Sequence, residues 1–275
     1  MLRLWRNRVA IALYPDRVVW LRANKGLRTR IAAKGHVSCE AGKGASWRTA
    51  LAALPQALQE SGASGAQVSV LLSNRLMRYA IVPNPDSANS REELAVLTRH
   101  AFERTHGEAA REWEIRLSDA APGRSALASA MDRELLATLR ETIAAGGGQM
   151  VSIQPYLMAA FNRMVKGTSG NRGVFVMAEP ERICQLAWKD GGWCAVQQAH
   201  AVQGWANTLG GMLDRLTMNA ELQEVRTVRF CAPEMAGQAA SGGNWQLETV
   251  APSWPDGLSP LDDHDYAGAM LALER

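Results

Sequence analysis

A duplicated segment constrains this 275-residue chain more than any other feature. Val9-Ala-Ile-Ala-Leu-Tyr-Pro-Asp-Arg-Val-Val-Trp-Leu21 returns as Val174-Phe-Val-Met-Ala-Glu-Pro-Glu-Arg-Ile-Cys-Gln-Leu186, at a constant offset of 165 residues. Pro15 matches Pro180, Asp16 matches Glu181, Arg17 matches Arg182 and Leu21 matches Leu186, without a gap. Each copy reads as an apolar strand, a Pro-acidic turn, a second strand, a glycine turn (Gly26, Gly191) and a third strand. The third strands are expected over 27–33 and 193–199. A three-stranded meander opening each half predicts two related α/β lobes, over 1–170 and 171–275.

The remaining pattern fills out both halves. Apolar periodicity predicts helices at 47–61, 90–105, 132–145, 155–166, 204–221 and 265–273. Ser90 with Glu93 makes a capping box ahead of a Leu94, Leu97, Ala101 stripe. Asp132 is placed to cap the stripe Leu135, Leu136, Leu139, Ile143, which Gly146-Gly147-Gly148 stops. Strands are expected at 67–72, 77–82, 114–117, 125–131, 151–154, 227–231 and 245–250. Strands alternate with helices while hairpins head each half, which gives an α/β class with mixed sheets.

Composition excludes several functions. No run of about 18 apolar residues is present to span a bilayer. Charges interrupt the start, Met1-Leu-Arg-Leu-Trp-Arg-Asn-Arg8, where a signal peptide needs its apolar stretch, so a cytoplasmic protein is expected. A net charge of +3 argues against nucleic-acid binding. Cys39, Cys184, Cys194 and Cys231 form no Cys-x-x-Cys pair and are expected as free, mostly buried thiols. Pairing Trp188 with Trp193 around the 189–192 turn puts Cys184 opposite Gln197. His100 and His106 stand roughly 240° apart round a helix and cannot share a metal. No nucleophile elbow or Walker loop occurs.

The layout resembles the actin-like (ASKHA) cytoplasmic platform proteins of type IV pili and type II secretion, the PilM, GspL and MSHA-biogenesis group. Val68-Ser-Val-Leu-Leu-Ser73 followed by Met77-Arg-Tyr-Ala-Ile-Val-Pro83 is similar to that family's paired strands ending in proline. Glu92-Glu93-Leu94 opens a helix like the one that follows, and Trp113-Glu-Ile-Arg-Leu117 resembles the next strand. Residues 126–130, Asp132-Arg-Glu-Leu135 and 146–155 resemble its strand, helix, glycine turn and strand. Asp265-Tyr-Ala-Gly-Ala-Met-Leu-Ala-Leu273 is similar to the closing helix of PilM, and a chain complete at that helix would look more like PilM than GspL, while a GspL-like chain cut before its membrane helix would look the same. The resemblance implies two RNase-H-like lobes with a small subdomain inserted at about 67–131.

Active members of the actin-like superfamily grip nucleotide with two hairpin loops of the form Asp-x-Gly. Here the Asp positions hold Ala12 and Met177, and the Gly positions hold Tyr14 and Glu179. Prolines follow both, removing a backbone donor, and Glu179 with Glu181 would repel phosphate. The late Gly-Gly turn that packs adenosine is replaced by Phe230-Cys-Ala-Pro233. These departures predict a pseudo-ATPase without catalytic residues, cofactor or metal, with residual ATP binding left open. Asp16, Glu179 and Glu181 are then expected as solvated turn residues. An actin-like ATPase or sugar kinase stays as the alternative.

The resemblance further implies a cytoplasmic scaffold at the inner membrane that binds the cytoplasmic tail of a PilN- or GspM-like protein, with an assembly ATPase as a further partner. The tail is expected in a groove around 67–117, where Tyr79, Leu94, Leu97 and Phe102 are apolar candidates; plain core is the competing reading of each. The basic opening, with Arg3, Trp5, Arg6 and Arg8, is a candidate surface for anionic lipid, against a solvated basic hairpin. Residues 256–265 are by contrast acidic.

Overall fold

The computed structural model describes residues 7–24, 29–39, 46–83, 91–121, 123–165, 171–201, 205–218, 222, 224–235, 242 and 244–273. The first half runs β1 (Arg8–Leu13), β2 (Arg17–Ala23), β3 (Ile31–Ser38), α1 (Trp47–Ser61), β4 (Gln67–Leu72), β5 (Arg78–Val82), α2 (Arg91–His106), β6 (Trp113–Leu117), β7 (Ala126–Asp132), α3 (Arg133–Ala145), β8 (Gln149–Pro155) and α4 (Tyr156–Met164). The second runs β9 (Arg172–Glu179), β10 (Arg182–Lys189), β11 (Gly192–His200), α5 (Trp205–Leu216), β12 (Thr227–Cys231), β13 (Gln246–Thr249) and α6 (Ala267–Leu273).

Both repeats head a five-stranded sheet of one design. The orders are β3-β2-β1-β4-β8 and β11-β10-β9-β12-β13. In each, the meander is antiparallel and the last two strands join parallel to the first. The central strands β1 and β9 are buried on both faces, which is why they read as nearly unbroken apolar runs rather than as alternation. α1 and α3 cover one face of the first sheet, while α6 and α4 lie on its other side. α5 covers the outer face of the second sheet, over Val174, Val176, Ile183 and Ala187. The opposite face of that sheet (Phe175, Met177, Cys184, Leu186) joins the first lobe in one continuous core.

A third sheet, β5-β7-β6, is antiparallel and carries α2. It begins at Arg78, because Gln67–Leu72 pairs with β1 in the first five-stranded sheet; the insert expected from about 67 therefore spans 78–132. Its β5 edge lies against β11 of the second lobe.

Most strands and helices lie within a few residues of their expected places, and Asp132 caps α3 by accepting from the Glu134 and Leu135 amides at 2.8 and 3.3 Å. Three local expectations change. The third strand of the first copy lies at Ile31–Ser38, later than 27–33, with Gly35 inside it. Gly35 faces Trp20 across β2, and a Cβ there would stand 2.5 Å from the indole, so this glycine makes room for a ring within the strand rather than ending it. Cys184 faces Gln198, not Gln197, because a bulge between Ala187 and Trp188 shifts the register beyond the Trp188–Trp193 pair. On α2 the inward side carries Thr98 and Phe102, with Leu94 half-buried, while Leu97 is 41% exposed. Ser90 lies outside the described residues. All four cysteines are free, with Cys184 and Cys231 buried and Cys39 and Cys194 half-buried. No helix among the described residues is long and apolar enough to cross a membrane.

Candidate functional site

The matched strands β1 and β9 end at the cleft between the lobes, and their duplicated turns face one another across it. Tyr14 follows β1 and Glu179 ends β9, at the two matched positions where an active loop needs glycine. Both are buried, at 2% and 1% exposure. Each reaches across to the loop that follows the parallel partner strand of the opposite lobe.

Glu179 crosses to the loop after β4. The Ser73 hydroxyl donates to its Oε2 at 2.5 Å and the Asn74 amide to its Oε1 at 2.8 Å. Burial raises the Glu179 pKa, opposed by these hydrogen bonds and by the charge of Arg182. Tyr14 crosses to the loop after β12, where its hydroxyl donates to Glu234 Oε1 at 2.6 Å. Arg17 adds an Nη2 contact to Glu234 Oε2 at 2.8 Å while stacking 4.2 Å from the Tyr14 ring centroid. Glu234 has a fully buried side chain, and burial, reinforced by the nearby Glu179 carboxylate, pushes its pKa up to about 8. The buried Tyr156 is close enough to favour the ionised form of Glu234, although its hydroxyl lacks a well-formed hydrogen bond. Burial in turn raises the Tyr14 hydroxyl well above its ordinary range, so Tyr14 stays a donor.

Two further links complete the latch. Arg75 bridges the duplicated turns, with Nη1 3.7 Å from Asp16 and Nη2 3.2 Å from Glu181. Glu181 adopts a left-handed backbone (φ 64°), a conformation that favours glycine, and its carbonyl accepts from the Ala201 amide at 3.0 Å. Asn74 is the hub. Its Oδ1 accepts from the Tyr79 hydroxyl at 2.7 Å and from the Leu157 amide at 3.0 Å, capping α4, whose own Pro155 offers no side-chain cap. Its carbonyl accepts from Gln198 Nε2 at 3.3 Å. The insert, both lobes and α4 therefore meet at one residue, the insert and α4 at its side chain and the second lobe at its backbone.

Gly268 of α6 makes this possible. A Cβ there would stand 2.3 Å from the Tyr14 hydroxyl and 3.2 Å from the Ala12 Cβ.

The structure thus places the sequence-predicted residues as follows. Ala12 and Met177 are fully buried beneath the latch. Tyr14 and Glu179 form its two crossings. Glu179 is not a solvated turn residue as expected, because its carboxylate is enclosed by the opposite lobe; Asp16 and Glu181 are ion-paired through Arg75. Tyr79 is 8% exposed and serves Asn74 rather than an open groove, and Phe102 is fully buried in the insert's own core with half-buried Leu94 against it. Leu97 alone of the four partner candidates is exposed. Of the candidate membrane residues, Arg3, Trp5 and Arg6 lie outside the described residues, and Arg8 opens β1. The basic opening and acidic end partly meet each other: Lys34 pairs with Asp263, and Arg30 forms a backbone bridge with Asp256. His106 packs against Phe102 and Trp113. Among the described residues, no group of His, Cys, Asp or Glu is placed to hold a metal.

Sequence reasoning missed Ser73, Asn74, Arg75, Gln198, Glu234 and Gly268. The available signal was topological: a polar Ser-Asn-Arg run directly after the apolar β4, and an acid at the same place after β12.

No protein-family model matches the chain, and no curated protein matches it by sequence. Solved structures do. The chain is similar to a chain of the PilM–PilN type IV pilus biogenesis complex at 12% identity and a TM-score of 0.63, covering 97% of this chain and 96% of that one. It is similar to the cytoplasmic domain of EpsL, an inner-membrane component of the Vibrio cholerae type II secretion system, at 12% identity and a TM-score of 0.60, covering 90% of each. It is also similar to a Bacteroides thetaiotaomicron protein of actin-like ATPase fold and unknown function, at 11% identity and a TM-score of 0.57, covering 91% and 94%. Each match spans nine-tenths or more of this chain, and the chain has the actin-like fold.

Proposed function

We propose that this chain is a non-catalytic scaffold of an inner-membrane assembly platform of the type IV pilus or type II secretion kind. In this reading it is cytoplasmic, sits at the inner membrane through a partner, and binds the cytoplasmic tail of a PilN- or GspM-like membrane protein. The observation that carries it is the reciprocal crossing of Tyr14 and Glu179. Where an active hairpin leaves backbone N–H groups open to phosphate, these side chains are buried and hydrogen-bonded to the opposite lobe. A phosphate chain entering there would have to displace the buried Glu179 and Glu234 side chains and break their hydrogen bonds, at a high cost. Two of the similar structures, a PilM–PilN complex and an inner-membrane secretion component, support the platform assignment.

The actin-like ATPase fold of the third neighbour keeps a second reading, nucleotide binding at a degenerate site. One pair of titrations separates the two. A fluorescent peptide copying the cytoplasmic tail of the membrane protein encoded next door is titrated into the chain, and Mg-ATP in parallel. Saturable peptide binding with no ATP binding is expected. ATP binding without peptide affinity would overturn the scaffold reading.

A further inference from the structure

We infer that Arg78 and Arg182 form a recognition site for a carboxylate carried by a partner segment, at the junction of β5, β10 and β11. This rests on the scaffold reading, since it assigns the carboxylate to the docked tail.

Arg182 opens β10 and stands directly across from Glu179 on β9 and His200 on β11. Residues opposed in this way share a face, here the face that Cys184 and Leu186 turn toward the first lobe. Facing it is the segment from Asn74 to Arg78, tied on by Gln198, which donates to the Asn74 and Met77 carbonyls at 3.3 and 3.4 Å. Arg182 is only 9% exposed. Its Nη2 lies 3.2 Å from His200 Nε2, which leaves that nitrogen as an acceptor on a neutral ring, and its Nε is buried without a partner. Arg78 uses Nη1 on the Met77 and Arg75 carbonyls, at 2.8 and 3.5 Å. Among the described residues neither guanidinium has a carboxylate in ion-pair range. Glu179 gives its oxygens to Ser73 and Asn74, and Glu181 is held by Arg75.

The crowding is felt by Arg182 and His200. The Arg182 pKa is pulled down by burial and by Arg78 and Arg75, with Cys184 and Glu179 opposing. That of His200 is pulled down first by Arg182, then by burial, Arg75 and Arg78. Glu179 attracts Arg182 across the strand pair but has both oxygens committed to Ser73 and Asn74, and a buried guanidinium without a paired carboxylate is costly. A carboxylate laid between the two forks removes that cost with charge-assisted hydrogen bonds. The charge of the occupant follows from the neighbouring acids: buried Glu179 and exposed Glu181 lie beside the site, so a monoanion meets less repulsion than a phosphate dianion. Exposed His200 marks the side of approach, and β5 is the insert strand beside it.

The test reads the side-chain Nε–H resonances of Arg78 and Arg182 in the full chain. Sodium acetate is titrated against sodium chloride at fixed ionic strength, with inorganic phosphate in a parallel arm. Saturable acetate shifts are expected, tighter than those from phosphate and lost in Arg182→Gln, whose Tm stays level or rises because it removes a buried charge that has no paired carboxylate. The tail peptide is then titrated into Arg78→Gln, Arg182→Gln and the exposed control Arg48→Gln. A loss of about tenfold is expected for the first two and none for the control, with the same loss when the peptide's acids are changed to amides. No saturable acetate effect, or tighter phosphate binding, overturns the site. Full-strength tail binding to both variants overturns the partner carboxylate while the scaffold reading stands. An acetate site in a chain that binds no tail supports the site and overturns the assignment of its occupant to a tail.

Discussion

Replacing Glu234 with glutamine should flatten the pH dependence of stability. The isosteric amide keeps both contacts, since its oxygen accepts from Arg17 and its NH2 donates to the Tyr14 oxygen. What it removes is a titration. The folded-state pKa of Glu234 is about 8, against an ordinary value of 4.5. Between those two values the folded protein holds a proton that the unfolded chain has released. Stability is therefore full below the unfolded value and falls as pH rises, levelling off once pH passes the folded value. Each pH unit inside the window removes at most about 1.4 kcal/mol, so raising pH from 5.5 to 7.5 should cost the native chain about 2–3 kcal/mol more than Glu234→Gln. The groups facing Glu234 are Tyr14, Arg17, Tyr156, Cys231 and Glu179, the last a second carboxyl whose pKa burial raises. Taking the difference between the two proteins cancels every group not coupled to position 234. The assay is urea unfolding at pH 5.5, 6.5 and 7.5, with slopes checked for a constant m-value. Parallel stability curves for the two proteins would falsify the idea of a proton-holding buried carboxyl.

Three other outcomes follow from the same geometry. Gly268→Ala should destabilise by about 1–3 kcal/mol, because its Cβ meets the Tyr14 hydroxyl at 2.3 Å; adding Tyr14→Phe should restore part of the loss, and additive losses on thermal melting would refute the contact. Asn74→Ala strands the buried Tyr79 hydroxyl and the Leu157 amide together, costing about 2–4 kcal/mol, whereas a change within about 0.5 kcal/mol by chemical denaturation would show that neither bond matters. Gln185 is buried under α5 with both amide atoms unpartnered, so Gln185→Met should raise stability by about 1–2 kcal/mol, and a lower Tm would mean that the amide is satisfied after all.

How much of this was legible depended on the range over which the information acts. The two meanders were readable because strand, Pro-acidic turn and glycine turn are local signals repeated in one register. The α3 cap was readable for the same reason, since Asp132 acts on amides two and three residues away. The β3 shift was not, because Gly35 looks like a strand end until Trp20 is seen to lie over it. The Cys184 partner was missed through one bulge, which no pairing count anticipates. The substitutions at 12, 14, 177 and 179 were visible, but their consequence was not. Buried acids look like solvated acids in sequence, and the contacts that bury them join residues 14 to 234 and 179 to 73. Leu97 fitted an apolar stripe but faces outward, since the insert closes over Thr98 and Phe102 instead.

The reciprocity of the latch bears on what the fold is kept for. A buried carboxylate adds little net stability, because its desolvation consumes most of what its hydrogen bonds return. Its stronger effect is on arrangement: Glu179 is satisfied only when Ser73 and Asn74 are in place, and Glu234 only when Tyr14 and Arg17 are. The second lobe thus carries both acids and the first lobe must answer them, so a hinge motion of the cleft would strand both at once. An enzyme of this fold needs that hinge free so that nucleotide can enter and leave. A docking platform gains from having it fixed. Asn74 extends the constraint to the insert through Tyr79 and to β11 through Gln198, so the β5–β11 junction is held in one geometry before any partner arrives. A preset junction would reduce the ordering cost of binding, which is how a closed cleft would serve the proposed scaffold.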